Sequence, residues 1–101
     1  MTRTIQYLDA GGAMIFDGLA AAVWQISMTA DVTNPPRVTN IIPGALYTFI
    51  FVQDAAPSTF AWPAACKNPI AVDLAPLSTT TQNFIGYSGN VLYANLPGTW
   101  T

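Results

Sequence analysis

The sequence predicts an all-β chain, an antiparallel β-sandwich of jelly-roll-like kind folded as a single domain over residues 1–101. Three observations carry that expectation. Residue choice comes first: twelve Thr, eight Pro and twelve aromatic residues stand where a helical protein carries Glu, Lys and Arg, and Glu is absent altogether. Second, several apolar segments alternate at period two or are rich in β-branched and aromatic side chains. Third, turn signals fall between them at short intervals, the spacing expected of a sandwich, a jelly roll or a small barrel.

Taken in order, Thr4–Leu8 is a short alternating segment ended by the turn Asp9-Ala10-Gly11-Gly12. Residues 1–9 are expected to form an extended N-terminal arm. Ala13–Phe16 reads as a strand closed by Asp17-Gly18, a dipeptide favoured in tight hairpin turns. Leu19–Met28 admits two readings. Ala20-Ala21-Ala22 favours a helix, whereas Val23, Trp24 and Ile26 alternating with Gln25 and Ser27 favour a strand over Ala22–Met28. Asn34-Pro35-Pro36 is a loop, because neither proline can donate a backbone hydrogen bond. Arg37–Ile42 is extended, and Pro43-Gly44 turns the chain.

Tyr47–Val52 is apolar at nearly every residue, as expected of a strand buried on both faces at the centre of the fold. An Asp54-anchored turn leads to the returning segment Thr59–Trp62. From Pro63 to Thr81 the prolines predict a long surface loop with brief extended pieces near Ile70–Leu74. Gln82–Tyr87 and Val91–Ala94 form the clearest hairpin, joined by Ser88-Gly89-Asn90, which supplies the positive-φ positions such a connection needs.

Composition also bounds function. Charged residues are 8% of the chain and hydrophobic ones 51%, so part of the surface is expected to lie against another chain. A net charge of −2 with only Arg3, Arg37 and Lys67 as bases argues against nucleic acid, whose phosphates need cationic partners. No apolar run is both long and unbroken enough for a membrane span, and the N-terminus lacks the pattern of a signal peptide. The expected place of synthesis is a cell's cytoplasm.

Candidate chemistry is sparse. There is no histidine, which removes the usual general base and the commonest metal ligand. Cys66 is the single thiol and is expected to be structural. Asp9, Asp17, Asp31 and Asp54 fall at predicted turns, where a carboxylate caps nearby backbone N–H groups rather than forming a glycosidase pair. No cofactor, metal site or catalytic residue is expected, and the chain is read as not an enzyme. Trp24, Trp62 and Trp100 with Tyr7, Tyr47, Tyr87 and Tyr93 suit either a sugar platform or core and interface packing. Trp62 and Tyr47, on apolar strands, are assigned to the core. Trp100 and Tyr7, near the termini, are assigned to an interface.

The run Tyr47, Thr48, Phe49, Ile50, Phe51, Gln53, Asp54, then Thr59, Trp62 and Pro63, then Phe84, Tyr87, Gly89 and Tyr93 resembles a β-rich module of bacteriophage tail-fibre, head-fibre and decoration proteins. The match spans about half the chain; Ala55-Ala56-Pro57 departs from the glycines usual in that turn, and Met1–Asn34 has no counterpart. The resemblance implies a non-enzymatic virion protein, often trimeric. A chain of 101 residues suits a small protein docked directly on a capsid. The expectation is therefore a capsid decoration, or cement, protein on the virion surface, with the major capsid protein and its own copies in a homotrimer as partners. Arg3, Ile5, Tyr7 and Trp100 are the candidate intersubunit or capsid contacts, and Thr2–Leu8 is the candidate strand-donating arm. The alternative is a receptor- or glycan-binding module of a phage tail or head fibre.

Overall fold

A computed structural model describes residues 5–10, 14–67 and 69–94. Among them the chain is strand-rich and contains no helix, in keeping with an all-β protein. The strands are β1 (Ile5–Asp9), β2 (Ile15–Asp17), β3 (Val23–Met28), β4 (Arg37–Thr39), β5 (Leu46–Gln53), β6 (Cys66–Lys67), β7 (Thr79–Tyr87) and β8 (Val91–Ala94). Six of them form one sheet in the order β1-β3-β5-β7-β8-β6, and β2 pairs with β4 in a second.

The sheet is mixed, which corrects the expectation of antiparallel pairing throughout. β1, β3 and β5 run parallel, β5, β7 and β8 alternate in direction, and β6 lies parallel to β8. Parallel neighbours need a crossover, and here the crossovers contain β2 and β4, which pair parallel with each other. Asp17-Gly18 therefore does not close a hairpin. The Asp17 carbonyl accepts from Ala20 and Ala21 N–H, and its carboxylate accepts from Leu19 N–H at 2.9 Å, so the chain turns out of β2 and on into β3.

Period-two alternation decides which face is which. On β5, Tyr47, Phe49, Phe51 and Gln53 point inward, while Leu46 is exposed and Thr48, Ile50 and Val52 are half-buried. The central strand is thus buried fully on one face only, which corrects the reading of burial on both. Inner-face neighbours are fixed by register: Phe49 stands between Trp24 on β3 and Gln82 on β7, and Phe51 between Ile26 and Thr80. β7 starts at Thr79, earlier than its apolar residues indicate, because Thr80 is buried and its hydroxyl accepts from Asp73 N–H at 3.0 Å.

Two pieces roof the inner face. Over β3 and β5, Phe16 of β2 is fully buried, edge-on to Phe49 at 4.8 Å and to Trp24 at 5.4 Å. Over β5 and β7, Phe60 and Trp62 pack against Phe51 and Phe84. Phe60 is held by a single bridge to Val32 rather than by a full returning strand. Phe49 touches both pieces, meeting Phe16, Trp24, Trp62 and Phe84 at centroid distances from 4.8 to 5.4 Å. The contacts with Phe16, Trp62 and Phe84 are edge-to-face, a geometry that adds to the burial energy of each ring.

The polar groups drawn into this core are satisfied. Tyr47 stacks on Trp24, and its hydroxyl oxygen accepts from Ile42 N–H at 2.9 Å. Gln53 is buried; its amide donates to the Ser58 and Asp73 carbonyls and accepts from Ser58 N–H, tying two loops to the end of β5. Asp54 and Asp73 each cap the N–H two residues on, at 2.9 and 3.0 Å. The hairpin of β7 and β8 has its positive φ values at Gly89 (81°) and Asn90 (59°), as expected from its loop.

Candidate functional surfaces

On the outer face of the six-stranded sheet the described side chains are exposed or half-buried, except that of Val23, which is buried. Side chains on this face follow from the register: Ile5 and Tyr7 on β1 lie in rows with Val23 and Gln25 on β3, Thr48 and Ile50 on β5, and Asn83 and Thr81 on β7. At the other end, Leu46, Ile85 and Tyr93 share a row, with Tyr87 beside Tyr93. Tyr7 is 70% exposed, Tyr87 51% and Leu46 48%. Tyr87 and Tyr93 meet edge-to-face at 4.8 Å and remain largely accessible.

Of the four candidate contact residues, Ile5 and Tyr7 come together on this face at the outermost strand. Arg3 and Trp100 lie outside the described residues, as do residues 1–4 of the expected arm. Residues 5–9, the rest of that segment, pair with β3 within the same chain. Trp24 and Tyr47 are core residues, and Trp62 packs on the core with its indole N–H donating to the Ile70 carbonyl at 2.9 Å.

Two smaller features lie elsewhere. A cleft of about 270 Å³ is lined by Ala10, Met14, Val32, Asn34, Pro35, Pro36 and Arg37. It is slightly smaller than the clefts of about 300–1,000 Å³ that hold small molecules. Leu77 has φ 61°, a left-handed backbone leucine rarely adopts, and its side chain is 73% exposed. Sequence reasoning missed Leu77, because no residue type at that position signals positive φ.

The electrostatics are quiet. Among the described residues no three His, Cys, Asp or Glu side chains gather as metal ligands would. The Asp17 carboxyl is held below its ordinary range by Leu19 N–H and then by the Asn40 amide at 3.1 Å. Asp31 accepts from Thr59 N–H at 2.8 Å, and Asp9 from the Thr29 hydroxyl. These carboxylates are each occupied by local structure.

Cys66 is buried against Leu92's strand, and loss of hydration pushes its thiol up to about 12, with Lys67 opposing weakly. A nucleophilic cysteine needs the opposite shift. Alkylation of the folded protein at pH 8 is expected to be at least tenfold slower than in denaturant, followed by mass spectrometry. Because the folded thiol titrates above its ordinary value of 9.0, its contribution to stability is complete below pH 9 and is lost as pH rises towards 12. No helix is long and apolar enough to cross a membrane among the described residues. Compared with known proteins, the chain matches no family model, no curated protein and no solved structure.

Proposed function

We propose that this protein is a structural virion component, a capsid decoration protein that binds the outer capsid surface as a homotrimer and stabilises the shell. The observation that carries the proposal is a surface poor in charge and rich in exposed apolar side chains, from Tyr7 and Leu46 on the sheet to Leu74 and Leu77 on the loops. Such surfaces suit lasting contact with other protein chains. The residues that resemble the phage module fall on β5, β7, β8 and the roof around Trp62, so they form its framework. With β2 and β4 lying over the inner face, the two sheets favour a small, unequal sandwich.

The mechanism is adhesive. Each trimer touches several capsid subunits, so individually weak contacts combine through high effective concentration. A ligand that binds only the assembled shell opposes disassembly by mass action. Capsids carrying the protein are expected to rupture at a higher temperature than capsids without it, measured by dye access to the packaged genome. Equal rupture temperatures overturn the proposal. The exposed Tyr87–Tyr93 pair favours a second reading, a glycan-binding fibre module, because accessible aromatic faces stack on sugar C–H groups. Binding to host polysaccharide, with no capsid binding, would select it.

A further inference from the structure

We infer that the outer face of the six-stranded sheet is where copies of this chain pack against one another. The inference rests on the self-association in the proposed function and names its surface. The inner face already has its two roofs, whereas the outer face keeps large apolar side chains in water at Tyr7, Leu46, Tyr87 and Tyr93. The charged residues on it among those described, Asp9 and Lys67, belong to the two outermost strands, β1 and β6, and stand at opposite ends of the sheet. Its middle holds only neutral side chains, chiefly Ile50, Val52, Thr81 and Gln25.

The area matches what association needs. Six strands at about 4.8 Å spacing span about 25 Å, and four rows two residues apart span about 20 Å, or about 500 Å² per copy. Three such faces turned to a common axis, as in the homotrimer, bury about 1,500 Å² in all, within the range of a standard stable interface. A partner identical to itself fits because the middle carries no charge with which to select or repel another copy. The hydroxyl and amide side chains between the apolar ones can donate or accept hydrogen bonds, so one part of the face can meet a different part of a neighbouring copy's face, as three-fold packing requires. Sheets pack face to face at about 10 Å, a distance that Ile, Val and Tyr side chains fill.

The test is sedimentation of the purified full chain at about 50 µM, far from any capsid. The wild type is expected as an oligomer. Thr81→Arg and Tyr7→Glu each place a charge on the face at an exposed position, and both are expected to sediment as monomers with unchanged far-ultraviolet circular dichroism. Leu19→Asp, exposed on the turn after β2, is expected to leave the oligomer intact. A monomeric wild type, oligomeric face variants, or dissociation by Leu19→Asp to the same extent would each overturn the inference. An oligomer that the face variants dissociate, but that leaves capsid rupture temperatures unchanged, would sustain the inference and remove the cement function alone.

Discussion

Replacing Phe49 by alanine is expected to lower the free energy of unfolding by about 3–5 kcal/mol, the usual cost of removing a buried aromatic ring. Phe49 is fully buried at the one position where both roofs meet the sheet. Its loss leaves Phe16, Trp24, Trp62 and Phe84 facing a common void, and rings held on three strands and a loop cannot all collapse into it. Against a total of about 5–15 kcal/mol for a typical domain, the variant is marginal. Urea unfolding followed by tryptophan fluorescence reads the change directly. A loss under 1 kcal/mol would mean that the two roofs do not depend on this ring.

That position was partly legible in the sequence. Alternation along Tyr47, Phe49 and Phe51 identifies one face of a strand, and the same parity extended to Gln53 marks a buried amide that must find partners. The apolar residues between them, Ile50 and Val52, made the strand look buried twice over. A half-buried side chain on the outer face has the same hydrophobicity as one in the core. Strand order was not legible, because period two assigns a residue to a face and says nothing about which strand lies alongside. The parallel pairs β1-β3-β5 come from that missing information, and so does the short β6, which a proline-rich stretch concealed. For the candidate contacts, proximity to the N-terminus selected Ile5 and Tyr7, and it is the register with β3 that places both on the outer face.

Gly86→Ala is the second large effect, expected to cost about 3 kcal/mol, at the upper end of what overpacking usually does. A Cβ at residue 86 would stand 2.5 Å from the Ile42 carbonyl oxygen and 2.8 Å from Ile41 Cγ2. The obstacle is backbone, held in place because Gly44 N–H donates to the Gly86 carbonyl and Gly86 N–H to Ala45. Relief requires the turn at residues 42–45 to lift from β7, which also loosens the Tyr47 hydroxyl from Ile42 N–H. At about 4–8 °C per kcal/mol for a chain of this size, the melting temperature should fall by more than about 10 °C. Gly44→Ala separates crowding from conformation: its Cβ would meet nothing within 4 Å, and only its positive φ of 84° opposes the change. Equal losses in the two variants would show that crowding at residue 86 is not the cause.

The crossovers that carry β2 and β4 over the sheet also set how the chain must find its structure. Ile5 pairs with Val23, Val23 with Thr48, and Thr48 with Asn83, so the first three joins in the sheet each close a loop of roughly 20 to 35 residues. Among the described residues only β7 and β8 meet through a tight connection. Loop-closure entropy is spent before such distant pairs return any energy, which slows folding to the millisecond-to-second range of non-local β proteins. The β7–β8 hairpin is then the natural starting point. β1, at the edge of the sheet and joined to β3 only across such a loop, presents an unpaired strand edge to a wrong partner for as long as the search lasts.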